Sequence, residues 1–214
     1  MTKTPKFYGL HWLLVIFLVV LIRPVLANDS LVILGDSLSA GYGVAKNQTW
    51  VSLLQQRWQQ AHPNLTIINA SISGETTQGA LNRLDNILAE HQPAAIFVEL
   101  GGNDGLRGFD LSQLRQRINQ IIDAAQQQGV SVALSEVQLP PNYGPRFAEM
   151  FNQTYQQIAD QQGITLVPFF MKPLVGKVGM IQDDGIHPTA KAQPLIADFL
   201  EPYLLDLVKQ ESKQ

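Results

Sequence analysis

Five short runs rich in Val, Ile and Leu, at 30–35, 65–70, 94–100, 130–136 and 164–168, alternate along the chain with longer amphipathic stretches. No other feature constrains the fold as strongly. Most of these runs lack a polar–apolar alternation, which predicts strands buried on both faces rather than strands with one face in water. The stretches at 49–60, 76–89, 111–128, 147–161 and 190–209 are long enough for helices. In the third of them Leu114, Ile118, Ile121 and Ile122 recur at helical spacing. Strand, helix, strand, helix is the pattern of a parallel sheet covered on both sides. The expected architecture is one three-layer α/β/α sandwich on a five-stranded parallel sheet. Thr49 is placed to cap the first long helix. Pro140, Pro141 and Pro145 predict a rigid loop over 138–145 that excludes a regular helix.

Length and composition set the wider bounds. The 214 residues suffice for one well-buried domain and are short for two. The formal net charge is −3 and no basic block stands out, so a nucleic-acid partner is not expected. Residues 1–27 differ from the rest: Lys3 and Lys6 precede the apolar stretch 13–22, and Val25-Leu26-Ala27 follows. This pattern predicts a secretory signal cleaved after Ala27, leaving 28–214 as a single domain. The apolar core is short of the roughly 20 residues that a membrane span requires, so no stable span is expected once the signal is gone. Cleavage removes Lys3, Lys6 and Arg23 and no acid, taking the formal charge from −3 to −6. The expected location is the periplasm or the medium. There is no cysteine, so neither a disulfide nor a thiol nucleophile is available.

Four places concentrate chemistry. Ser37 lies in Gly35-Asp36-Ser37-Leu38-Ser39, directly after the first predicted strand. A serine hydroxyl is a weak nucleophile at neutral pH and needs a neighbouring base, which in turn needs an orienting partner. Of the histidines beyond the leader, His62 and His91 sit at polar helix ends, whereas His187 opens the last helix in Asp183-Asp184-Gly185-Ile186-His187-Pro188. Either Asp184 or Asp183 is near enough in sequence to orient its ring. Asn103, in Gly101-Gly102-Asn103-Asp104-Gly105, and Gly74, in Ile72-Ser73-Gly74-Glu75-Thr76, can each offer an N–H to an oxyanion. Ser37, Gly74 and Asn103 follow the first three strands, and in open parallel sheets ligands bind beyond the carboxyl ends of the strands. All three are therefore expected to line one crevice. Metal catalysis has little support, since the Asp184/His187 pair has no further spaced ligands near it.

These blocks, in this order, resemble the SGNH (GDSL) hydrolase superfamily and, within it, the arylesterase-like bacterial periplasmic thioesterase I/protease I/lysophospholipase L1 group. The carrying strings are 34–43, 69–76, 98–108 and 180–188, with Leu139-Pro140-Pro141-Asn142-Tyr143-Gly144 in addition. The resemblance implies a flavodoxin-like strand order 2-1-3-4-5. It implies Ser37 as nucleophile, His187 as base and Asp184 rather than Asp183 as its partner. The oxyanion hole would comprise the Ser37 and Gly74 amides and the Asn103 side chain. It also implies hydrolysis of small-molecule acyl thioesters, aryl and alkyl esters and lysophospholipids, without a metal or cofactor; a monomer is the expected state. A mobile loop is implied over 105–110. Gly105, Leu106, Arg107, Phe109, Pro140, Pro141, Tyr143 and Ile186 are the candidates for substrate contact. The stretches 42–48 and 172–179, where this chain differs from the group, are expected to shape the acyl pocket.

Two other readings share these features. An exported carbohydrate O-deacetylase would use the same catalytic groups with a different pocket. A periplasmic solute-binding module would use the fold alone, because fold does not dictate function.

Overall fold

The structure, a computed structural model, describes residues 29–211. The proposed export signal, 1–27, lies outside the described residues. Strands β1 (Asp29–Gly35), β2 (Leu65–Asn69), β3 (Ala95–Glu99), β4 (Ser131–Ser135) and β5 (Thr165–Val167) pair in parallel throughout, in the order β2-β1-β3-β4-β5. Helices α1 (Ser37–Ala40) and α2 (Trp50–Ala61) follow β1, and α3 (Thr77–His91) follows β2. Helices α4 (Gly102–Leu106) and α5 (Leu111–Gln126) follow β3, α6 (Pro145–Gln162) follows β4, and α7 (Gln193–Glu211) follows β5.

The alternation of side chains along a strand builds the layers. Leu31, Ile33, Ala95 and Phe97 face one side, where they pack with Trp50, Leu54 and Trp58 of α2 and Ile196, Leu200 and Leu204 of α7. Val32, Leu34, Ile96 and Val98 face the other side, against α3, α5 and α6. Residues Leu31–Leu34 are wholly buried for this reason, and so read as an uninterrupted apolar run. Burying one such side chain stabilises the fold by roughly 1.5–3 kcal/mol relative to leaving it in water. The starts of α1, α2, α3 and α5 carry side-chain caps for their free N–H groups. Thr49 Oγ1 accepts from Ser52 N at 3.3 Å, and Thr76 Oγ1 accepts from Gly79 N at 3.2 Å.

The structure departs from the sequence-based expectation in several places. Helix α6 begins at Pro145, not at 147, because proline fits the first helical position, where its missing N–H has no intrahelical partner to lose. The proline-rich segment before it holds a 3-10 turn, Pro141–Tyr143. The short helices α1 and α4 carry too few residues for any hydrophobic period, and they sit directly on the ends of β1 and β3. Among the described residues, no helix is long and apolar enough to cross a membrane.

Candidate active site

Ser37 is the first residue of α1, separated from the end of β1 by Asp36 alone. Asp36 caps that helix: its Oδ1 accepts from Leu38 N at 3.0 Å. The turn is short and sheet-anchored, so the position of the Ser37 hydroxyl is set by β1.

His187 reaches it from the loop after β5. That loop is closed by a bridge between Ile181 and Pro188, with Gln182 N donating to His187 O at 2.8 Å. Gly185 turns the chain with φ 74°, a conformation costly for any residue with a Cβ. Gln182 Nε2 donates to Tyr42 O at 2.8 Å and to Pro188 O at 3.0 Å, tying the loop to the segment just after α1. His187 Nε2 then lies 2.8 Å from Ser37 Oγ.

Asp184 completes the chain. Its Oδ2 is 2.6 Å from His187 Nδ1, and its Oδ1 accepts the backbone N–H groups of Ile186 at 2.9 Å and His187 at 3.0 Å. The N–H of His187 first, then that of Ile186 and the ring itself, lower the Asp184 carboxyl to about 2. Asp183 is exposed and takes no part in this chain of bonds. With a carboxylate facing Nδ1, the ring proton belongs on Nδ1, which leaves Nε2 free to accept from Ser37. Tyr42 lies over the imidazole, ring centroids 4.6 Å apart. Nothing local to Tyr42 signals this contact, which exists only because the two loops meet in space.

Asn103 sits in the first turn of α4, and its Nδ2 donates to Asp36 Oδ2 at 3.1 Å. Asp36 is buried, and burial raises its carboxyl to about 6 against the opposing pull of the Leu38 N–H, His187 and Asn103. A folded-state value raised in this way means that ionising Asp36 works against the fold as pH rises through about 6. Asp104, the next residue after Asn103, is wholly buried and accepts from Thr77 N at 2.9 Å and Thr77 Oγ1 at 2.6 Å. It thereby locks α4 to the start of α3, a role that its sequence context did not reveal. Gly74 occupies a turn closed by Glu75 N donating to Ile72 O at 3.1 Å, with φ 79°.

A cavity of about 610 Å³ opens beside the hydroxyl. Ser37, Asn103 and His187 stand on its wall, and most of the rest is apolar, including Val137, Leu139, Met171, Leu174 and Ile181. Of the residues expected to touch substrate, Leu106, Pro140 and Ile186 line it. The remaining candidates are placed otherwise. Gly105 is buried in α4, where a Cβ would come within 2.7 Å of the side chains of Leu139 and Phe151. Arg107 Nη2 donates to Gly74 O at 3.1 Å, and Tyr143 Oη donates to Leu106 O at 3.0 Å, so both brace backbone. Phe109 is part-exposed at the surface, its N–H bonded to Asp104 O, and Pro141 opens the 3-10 turn. Gly74 also lies outside the cavity wall, unlike Ser37 and Asn103. The segment expected to be a loop at 105–110 is in part helical, which turns several of its groups away from the cavity. The expected pocket-shaping stretch 172–179 does contribute, through Leu174, Val175, Lys177 and Val178. Among the described residues, no group of three or more His, Cys, Asp or Glu side chains is gathered as a metal site.

Comparison with known proteins places these features in context. The profile of the GDSL-like Lipase/Acylhydrolase family matches residues 33–194. The chain is 44% identical over 197 residues to thioesterase 1/protease 1/lysophospholipase L1 of Escherichia coli (strain K12), covering 92% of this chain and 93% of that protein. The crystal structure of TesA superposes with a TM-score of 0.80 at 45% identity, covering 84% of this chain and 99% of that one. The psychrotrophic esterase EstA from Pseudoalteromonas sp., in a structure inhibited by monoethylphosphonate, gives 0.79 at 40% identity, covering 87% and 100%.

Proposed function

This chain belongs to the GDSL-like lipase/acylhydrolase family, and from that premise we propose that it cleaves acyl thioesters and carboxylic esters through an acyl-enzyme on Ser37. It is a serine hydrolase by family. The observation that carries the substrate reading is the bonded series Ser37–His187–Asp184 opening onto an apolar cavity.

The chemistry follows from the geometry. Ser37 Oγ attacks the acyl carbonyl while His187 Nε2 takes its proton, and the Asp184 carboxylate stabilises the imidazolium that forms. The carbonyl oxygen becomes an oxyanion, for which the Ser37 amide and the Asn103 side chain, both on the cavity wall, are the donors, with the Gly74 amide as a third from outside that wall. An Asn amide carries two N–H bonds. One of those on Asn103 is held by Asp36, which orients the group and leaves the second for the oxyanion. Collapse expels the thiol or alcohol, protonated by His187 where it needs a proton, and leaves the acyl group on Ser37. Water then attacks the acyl-enzyme with His187 again as base, and the carboxylic acid departs.

The cavity argues for acyl chains over sugars. An apolar wall of this extent gains free energy from methylenes and offers few partners for a carbohydrate's hydroxyls. Acyl thioesters, lysophospholipids and aryl esters are the classes it suits. The test is hydrolysis of a medium-chain p-nitrophenyl ester beside deacetylation of acetylated sugars. Faster turnover of the medium-chain ester is expected; a preference for acetylated sugar would assign the chain to carbohydrate O-deacetylation instead. The leader pattern in 1–27 makes the enzyme an exported one, periplasmic or secreted.

The pH dependence has a defined sign. Asp184, held at about 2, stays ionised throughout pH 4–8. What it adds to stability is present above its unfolded value of about 3.9 and is lost only as pH falls towards about 2. An imidazole that already carries a second proton cannot accept one from Ser37. The ester kcat/KM is therefore expected to fall from pH 8 to pH 4 while circular dichroism stays constant. A flat profile over that range would remove His187 as the base.

A further inference from the structure

Glu99, the last residue of β3, is fully buried and takes no part in the chemistry above. Parallel pairing sets it beside Gly35, so it lies under the turn that carries Ser37. One of its oxygens, Oε2, serves that turn twice: it accepts from Asp36 N at 3.3 Å and from Ser39 Oγ at 2.7 Å. These two donors flank Ser37 in the chain. The approach is so close that a Cβ on Gly35 would come within 2.8 Å of Oε2, so the glycine before Asp36 is required by space and not by an unusual φ. The other oxygen, Oε1, is buried without a hydrogen-bond partner. Among the described residues, no cation pairs with Glu99, and its charged neighbour is the Asp36 carboxylate.

Resting on the reading of Ser37 as nucleophile, we propose that Glu99 is a positioning residue, a neutral buried carboxyl whose Oε2 clamps the backbone before Ser37 and the side chain after it. An ionised carboxylate at this place would face Asp36 with no compensating charge and with one oxygen unbonded, an arrangement far costlier than a neutral acid. Burial first, and then the charge of Asp36, push the Glu99 carboxyl well above the usual carboxylate range. Tyr155 and Asp104 are the other titratable groups of this buried region, and Tyr155 Oη donates to Leu100 O at 2.8 Å. The clamp acts on placement alone. It holds Ser37 Oγ where His187 Nε2 can reach it, and it does not touch the substrate.

Neutral acceptor and charged group are separable by substitution. Glu99→Gln keeps a carbonyl oxygen for Asp36 N and Ser39 Oγ, whereas Glu99→Met fills the space and offers none. For Glu99→Met, kcat on a medium-chain p-nitrophenyl ester is expected to fall roughly 10²-fold with KM little changed, the scale of a small misplacement of a reacting group. Labelling of Ser37 by a fluorophosphonate probe should slow in parallel. Glu99→Gln should restore both close to the wild-type values. Unchanged kcat in a folded Glu99→Met would overturn the clamp, and a folded Glu99→Gln as impaired as Glu99→Met would overturn its neutral state. Should Glu99→Met fail to fold, Ser39→Ala removes one arm of the clamp, and wild-type kcat in that variant would overturn the proposal equally. Ser37→Ala measured alongside keeps the two claims apart. Turnover surviving in Ser37→Ala defeats the nucleophile assignment, whereas turnover absent there and intact in Glu99→Met defeats only the clamp.

Discussion

Ser37→Ala is expected to lower kcat for a medium-chain ester by roughly 10⁶-fold, the scale seen when a serine nucleophile is removed from a working triad. The loss is large because nucleophile, base and orienting carboxylate act as a unit. Without the hydroxyl, His187 has no proton to take and Asp184 no imidazolium to stabilise. What survives is the oxyanion site and substrate binding, worth roughly 10³–10⁴ over water in comparable enzymes. Folding should be little affected. The cap of α1 is the Asp36 side chain, and the hydroxyl's partner in the structure is His187 Nε2. A fluorophosphonate probe should label the wild-type chain at Ser37 and leave Ser37→Ala unlabelled. An adduct on another residue, or esterase activity persisting in the variant, would reassign the nucleophile. A chain that binds esters without ever forming an adduct would instead be a binding module on this fold.

Asp184→Asn should lower kcat by roughly 10⁴-fold, through the wrong tautomer and not through lost structure. The variant's amide oxygen can still accept the N–H groups of Ile186 and His187, which holds the loop. Its NH2 group then faces Nδ1, where a carboxylate oxygen sits at 2.6 Å in the wild type. A donor there drives the ring proton to Nε2, and Nε2 can no longer accept from Ser37. Asp183→Asn is the control, expected to leave kcat essentially unchanged. If Asp183→Asn were the damaging substitution, the orienting role would pass to that residue. Both variants are read at pH 8 and at constant circular dichroism, so that the measurement reports orientation and not stability.

Much of the fold was legible because buried parallel strands leave a one-dimensional trace. Leu31–Leu34 and Ile96–Val98 have neighbours on both faces, so no polar residue interrupts them. The helices left an equally local trace in Leu114, Ile118 and Ile121. Helices α1 and α4 left none, since a single turn has no period. The supports of the site were hidden for a related reason. Asp104, Glu99 and Tyr42 read as ordinary polar or aromatic residues, and their roles come from partners far away in sequence: Thr77, Ser39 and His187. The expected contact residues Gly105, Arg107 and Tyr143 were displaced from the cavity by the same kind of cause, because backbone bonds made by α4 and its neighbours consumed them.

Periodicity and order along the polypeptide were enough to establish the layered sheet, to put Ser37, Gly74 and Asn103 after strand ends and to put His187 in the loop that opens the last helix. Both properties are local, recorded residue by residue. The reach of the imidazole to the hydroxyl and the shape of the cavity beside it depended on loops converging from distant parts of the chain, at distances that no local pattern encodes.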